Sequence, residues 1–213
     1  MLLDVLRRAL SPAGFNLVGV TTPADYDAGV PAGRQLRNLA PAARSVIVIG
    51  NGGPDLWQRV SAAAPAAPDP IDAYTRDRIE ALALPLLGIP RDDVRVFYPF
   101  QSDPLLAFMR LGECAGLGAP SILGILVHPL YGPWVALRAA LALPVALPPS
   151  APLNFTPCAT CAAKPCIGAC PGGAVSARGW DVPACVAHRL AAEAACAETC
   201  YARAECVYGR EYA

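Results

Sequence analysis

Nine cysteines occur in this chain of 213 residues, and eight of them fall between Cys158 and Cys206. The first four read Cys158-Ala-Thr-Cys161-Ala-Ala-Lys-Pro-Cys166-Ile-Gly-Ala-Cys170-Pro171, a C-x2-C-x4-C-x3-C-P run. The second four are Cys185, Cys196, Cys200 and Cys206, spaced by ten, three and five residues. Disulfides are disfavoured in a reducing cytosol. Thiols clustered in such a setting bind metal or do redox chemistry.

The first run resembles the C-x2-C-x2-C-x3-C-P pattern of bacterial ferredoxins, whose fourth cysteine ligates the other cluster. The physical logic is compactness. Three thiolates on one tight loop reach three corners of a cubane, and the fourth ligand comes from elsewhere. On the two-cluster ferredoxin pattern, one [4Fe–4S] cluster takes Cys158, Cys161, Cys166 and Cys206. The other takes Cys170, Cys185, Cys196 and Cys200, and no cysteine of the region is left over. Pro171 turns the chain away, and Gly172-Gly173 permits close backbone approach. The x4 spacing before Cys166 departs from the ferredoxin pattern, and Lys164-Pro165 is expected to fill the resulting bulge. Four-cysteine zinc sites also use C-x2-C pairs, so two zinc knuckles fit the same count. The C-x3-C-P ending and the small residues around it favour iron–sulfur.

Other residues have a chemical and a plain reading. Asp103 is a candidate proton donor in a reductive step, or a cap on a helix starting near Pro104. His128 is a candidate cofactor contact, or a satisfied structural histidine. His188, three residues after Cys185, is a possible substitute ligand that eight cysteines make unnecessary. Cys114 is expected to be a buried small residue. Lys164 is expected to be solvated. Tyr201, Tyr208 and Tyr212 are placed to shield a cluster from water.

The elements that must hold these groups follow from periodicity. Residues 2–10 have helical spacing, and Ser11-Pro12-Ala13-Gly14 ends the helix. Residues 15–20, 43–50, 94–97 and 122–127 read as strands, with 43–50 the clearest. Residues 62–70 read as an exposed loop. Residues 72–84 read as a helix bounded by Pro85, 104–115 as a helix with Pro104 near its start, and 134–143 as a helix. Strands mixed with helices predict an α+β layered domain over residues 1–147. The five prolines between 143 and 157 predict a stiff linker, with a small cysteine-rich module over 148–213.

Bulk properties exclude several classes. Hydrophobic residues make up 54% of the chain and the formal net charge is zero. A sizeable core is therefore possible, and no charge excess points to nucleic acid or to an anionic membrane surface. Residues 116–137 lack Asp, Glu, Lys and Arg, but Pro120, Pro129 and Pro133 argue against one membrane-spanning helix. Asp4, Arg7 and Arg8 interrupt any apolar signal core, so a cytoplasmic protein is expected.

Several segments resemble the epoxyqueuosine reductase family. Ala115-Gly116-Leu117-Gly118, the apolar run after it, and His128-Pro129-Leu130-Tyr131-Gly132-Pro133-Trp134-Val135 are similar to its A-G-L-G-W-I-G-K and H-P-x-x-G-S-W segments. Phe15-Asn16-Leu17-Val18-Gly19-Val20 is similar to its early G-F-D-L-V-G-I. Ala43-Arg44-Ser45-Val46-Ile47-Val48-Ile49 is similar to its A-R-S-V-I-V-L strand. The cysteines follow in order. The resemblance implies a nitroreductase-like, corrinoid-type domain, related to reductive dehalogenases and cobalamin-processing proteins, joined to a ferredoxin-like module with two [4Fe–4S] clusters. It implies cobalamin as a further cofactor, and electron flow from the clusters to it.

The departures are specific. Ala119-Pro120-Ser121 stands where the family has G-K. Gln101-Ser102-Asp103-Pro104 stands where the family has D-S-A-P, which displaces Asp103 from the proton donor's position. Cys206-Val207-Tyr208-Gly209 lacks the C-P ending. The full enzyme continues into a tRNA-binding helical repeat, whereas this chain stops soon after Cys206. A relative of the reductase is inferred, distinct from the tRNA enzyme.

The leading expectation is thus an iron–sulfur protein relaying single electrons to a site in its N-terminal domain, as part of a corrinoid-dependent reductase. Its partners would be an electron donor such as a ferredoxin or flavodoxin and a small-molecule substrate. Two alternatives stay open. One is a ferredoxin-like carrier whose N-terminal domain binds a partner, and the other is a zinc-stabilised interaction protein.

Overall fold

The computed structural model describes residues 2–64, 66–101, 103–191, 196 and 198–212. Its strands are β1 (Leu17–Thr21), β2 (Ser45–Gly52), β3 (Arg95–Phe97), β4 (Ala119–Pro120), β5 (Leu126–Val127), β6 (Val135–Leu143), β7 (Val175–Ser176) and β8 (Gly179–Trp180). The chain divides into two compact units, Met1–Leu117 with Ala136–Leu153, and Gly118–Val135 with Asn154–Ala213. The expected single boundary at 147/148 becomes three crossings. Residues 118–135 belong with the cysteines, and the proline-rich segment belongs with the sheet.

The first unit is built on a four-stranded sheet ordered β1-β2-β6-β3. β1 pairs antiparallel with β2, setting Gly19 opposite Val48, and β3 pairs antiparallel with β6. Helix Leu2–Leu10 presents Leu6 and Leu10, four residues apart and fully buried, to the core around Ile47, Ile49 and Leu141. Each such side chain contributes roughly 1.5–3 kcal/mol by leaving water. Gly50 allows β2 and β6 to lie close, since a Cβ there would come within 2.7 Å of the Ala136 carbonyl oxygen.

β6 overturns the expected helix over 134–143. Val-Ala-Leu-Arg-Ala-Ala-Leu-Ala-Leu has strong helix formers, but it is a nine-residue strand between β2 and β3. Its last five residues are buried without alternation, as in a strand covered on both faces. Tertiary pairing thus overrides local preference.

Three smaller expectations also change. The helix expected at 104–115 runs only over Phe108–Cys114, because the Ala107 N–H is committed to the Tyr26 hydroxyl at 2.9 Å. Asp103 is exposed in a turn ahead of it and does not cap it. Helix Pro70–Arg78 continues past Pro85 through a π turn and a 3-10 turn to Leu87, with Pro85 at the start of that last turn, where its missing N–H costs little. The proline-rich segment is a docked edge cover and not a free linker. The Ser150 N–H donates to the Val20 carbonyl (2.9 Å), and the Ser150 hydroxyl accepts from the Val20 N–H (2.8 Å). This occupies the open edge of β1.

The second unit has little regular structure and a small core of Leu123, Cys166, Val175 and Ala202, flanked by Ile122, Ile125, Ile167, Cys170 and Cys206. The strand expected at 122–127 is instead a hairpin of β4 and β5 around a Ser121–Ile125 turn. The Ser121 hydroxyl donates to the Ile125 carbonyl at 2.7 Å, and Gly124 supplies a φ of 72°. Hairpin β7–β8 leads to Asp181, whose carboxylate accepts from the Ala184 N–H at 2.9 Å and starts helix Val182–Leu190. Gly132 and Gly209 pass backbone to backbone. A Cβ on Gly132 would meet the Tyr208 carbonyl oxygen at 2.0 Å. No helix among the described residues is long and apolar enough to cross a membrane.

Candidate functional site

Cys158 lies in the one-turn helix Pro157–Thr160 and Cys161 directly follows it. Lys164 then takes a left-handed conformation, φ 40°, and starts helix Pro165–Gly168, which carries Cys166. The Lys164 ammonium donates to the Cys161 carbonyl at 2.8 Å, so it ties the loop together and is not simply solvated. Cys206 comes from the far end of the unit, two residues after helix Tyr201–Ala204. Cys158, Cys161, Cys166 and Cys206 all line one cavity, with Ile122, Leu123 and Tyr208 among its other walls and about 340 Å³ of empty space.

The electrostatics of this cavity are those of crowded thiols. Burial pushes the Cys166 thiol above its ordinary pKa, and the charges of Cys206, Cys158 and Cys161 add to the rise. Burial also pushes up Cys206, against the Tyr208 amide that donates to it, and Cys158 and Cys161 raise it further. Thiolates held this close repel unless positive charge sits among them. Backbone donors are aimed at the sulfurs, and the Ile122 N–H lies 3.4 Å from the Cys158 Sγ. Such donors are a recognised control on iron–sulfur potentials.

The other four cysteines line a second, more open cavity with about 1510 Å³ of empty space. Cys170 follows helix Pro165–Gly168, Cys185 lies on helix Val182–Leu190, and Cys196 and Cys200 precede helix Tyr201–Ala204. His188 and Arg203 line it as well. The Arg203 guanidinium lies 4.3 Å from the Trp134 ring centroid and donates to the Pro133 carbonyl at 3.1 Å. Burial lowers its pKa, opposed by the neighbouring Cys200. Cys200 is exposed, whereas Cys166 is buried.

Asp103, His128 and Cys114 line neither cavity. Asp103 is an exposed residue of the first unit. His128 closes a turn, with its N–H donating to the Gly132 carbonyl at 2.8 Å and its Nδ1 accepting from the Leu130 (3.1 Å) and Tyr131 (3.4 Å) amides. Burial lowers its pKa. The neutral ring therefore carries its proton on Nε2 and offers no free lone pair. Cys114 is half-buried, and its thiol donates to the Asp25 carbonyl at 3.7 Å. Tyr208 and Tyr201 line the first and second cavities respectively, while Tyr212 packs on Tyr131 at 5.3 Å. Sequence reasoning missed the Ile122 amide and Arg203. The Ser121-x-x-Gly124 turn signal pointed to the former. Nothing local pointed to the latter.

The chain superposes over 99% of its length on the epoxyqueuosine reductase of Streptococcus thermophilus, with a TM-score of 0.71 and 16% identity, covering 67% of that chain. It has the epoxyqueuosine reductase fold. The reductase of Bacillus subtilis matches 82% of this chain and 53% of its own, with a TM-score of 0.53 and 19% identity. The B12-trafficking protein CblC of C. elegans matches 73% of this chain and 75% of its own, with a TM-score of 0.53 and 16% identity. This chain therefore spans between about half and two thirds of the length of these two epoxyqueuosine reductases. No family model and no curated protein matches it.

Proposed function

We propose that this protein carries two [4Fe–4S] clusters and relays single electrons within a corrinoid-type reductase system. One observation carries the reading: eight thiols, scattered over 49 positions of sequence, line two cavities four by four. The first cluster would be held by Cys158, Cys161, Cys166 and Cys206, and the second by Cys170, Cys185, Cys196 and Cys200. A lone zinc ion needs sulfurs about 2.3 Å from one point. Among the described residues no three Cys, His, Asp or Glu side chains are gathered for a single ion. Four thiols lining each cavity match the ligand count of a cube with a thiolate at each corner.

The exposure of Cys200 makes the second cluster the entry point, where a small redox protein such as a ferredoxin or flavodoxin delivers electrons. The first cluster, with Cys166 buried, passes them on. The reductase fold and the likeness to a B12-trafficking protein support a corrinoid as the acceptor, which would supply a low-potential cobalt centre for reducing a substrate. The two residues expected to serve it line neither cysteine cavity. His128 has no lone pair to offer, and Asp103 is exposed. No step is assigned to a corrinoid through them.

The test is metal analysis of protein purified without oxygen. The expected result is about eight irons and eight sulfides per chain, with visible absorbance that dithionite bleaches. Colourless protein with stoichiometric zinc overturns the proposal. Full iron without cob(II)alamin binding in a visible-spectrum titration leaves an electron carrier and removes the corrinoid.

A further inference from the structure

Four buried side-chain nitrogen or oxygen atoms among the described residues have no hydrogen-bond partner: Thr75 Oγ1, Tyr98 Oη, Arg110 Nε and His188 Nε2. Of these four residues, His188 alone lines a cysteine cavity. It stands one helical turn after Cys185, so the two side chains share a face of helix Val182–Leu190. The chain has been cut back to receive its ring. A Cβ on Gly172, two residues after Cys170, would come within 2.8 Å of the His188 Cβ and 2.9 Å of its Cγ. The imidazole is thus clamped between its own helix and the turn that follows Cys170. Its Nε2 is buried and without a partner, and the residue lines the same cavity as Cys170, Cys185, Cys196 and Cys200.

A buried ring nitrogen is seldom left unpaired, since it has lost its water for nothing. The missing partner should be whatever the four thiols hold. We propose that the His188 Nε2 donates its proton in a hydrogen bond to a sulfur of the second cluster and so raises that cluster's potential. The inference rests on the two-cluster reading above. The four cysteines already complete the ligand set, so the imidazole acts as a donor to sulfur and not as a ligand to iron. A donor stabilises the more negative, reduced cluster, which gives the sign.

The experiment compares anaerobically purified wild-type protein with His188→Phe and His188→Gln by iron analysis, EPR-monitored redox titration and pulsed EPR for nitrogen-14 coupling. Supporting results are full iron in both variants and a more negative potential for one cluster in His188→Phe. The other cluster should not move, and His188→Gln, which keeps an N–H, should recover most of the shift. Full iron with both potentials unmoved in His188→Phe overturns the inference and leaves the two-cluster reading intact. Loss of about half the iron in both variants, with strong nitrogen coupling in the wild type, makes His188 a ligand and also overturns it. An iron-free wild type removes the cluster reading itself, and this inference with it.

Discussion

The Ile122 backbone N–H points at the Cys158 sulfur across 3.4 Å, from a hairpin turn 36 residues earlier in the chain. The turn is held by the Ser121 hydroxyl and by Gly124, whose missing side chain makes room for the Trp180 ring. A segment that reads as a plain apolar run therefore delivers a donor to the first cysteine of the cluster motif. Ile122→Pro removes that N–H. The expected outcome is retained iron and a potential more negative by about 40 mV in one cluster, the equivalent of one hydrogen bond of about 1 kcal/mol. A redox titration that finds no shift separates this amide from cluster tuning.

The grouping of the cysteines makes a prediction about double variants. Cys158→Ser should cost about half of the iron, and Cys185→Ser the other half. Combining Cys158→Ser with Cys206→Ser should cost no more than either change alone, because both belong to one cavity. Combining Cys158→Ser with Cys185→Ser should remove nearly all of it. Iron and sulfide assays on the four proteins decide between this assignment and any other pairing.

Gly132 and Gly209 carry a stability prediction. Both have left-handed φ values, 55° and 65°, and each faces the other's strand of backbone. Gly132→Ala would drive a Cβ to 2.0 Å from the Tyr208 carbonyl oxygen, next to Cys206 and the first cavity. A cost of about 2–4 kcal/mol is expected from overpacking and the left-handed backbone together. Chemical denaturation of the iron-loaded protein, followed by loss of visible absorbance, measures it.

Tyr98 predicts an alkaline limit for the first unit. Its hydroxyl is buried without a partner, and burial, with Glu80 nearby, pushes its pKa up to about 12 from 10.0. A phenol whose folded pKa is raised gives stability that is complete below the unfolded value. That stability is lost as pH rises from about 10 to about 12. Tyr98→Phe should flatten the fall in stability over that window. At neutral pH it should be neutral or stabilising by about 1 kcal/mol, because it deletes an unsatisfied group. Thermal unfolding of both proteins between pH 8 and pH 12 tests both statements.

The core positions were legible where one element decides them. Leu6 and Leu10 repeat at helical spacing, and residues 46–49 form a β-branched run that suits a buried strand, as the structure has it. The residues of the candidate site were legible for a different reason. Thiols at C-x2-C and C-x3-C-P spacing point to iron–sulfur ligation without reference to a fold, because one tight loop would itself set three of the proposed contacts.

Residue types and their spacing, then, marked the thiols proposed to hold iron and sulfide, placed helix Leu2–Leu10, and located strands β1 and β2 to within about two residues. Tertiary structure decided what depends on distant partners. It made the alanine- and leucine-rich segment 135–143 a strand, because two neighbouring strands offered its backbone more than a helix could. It folded the linker prolines onto the free edge of β1, took residues 118–135 into the cysteine unit, and set His188 against Gly172 in the lining of the second cysteine cavity. Short-range pattern records only what a residue and its near neighbours prefer, and each of these outcomes was settled by groups tens of residues away.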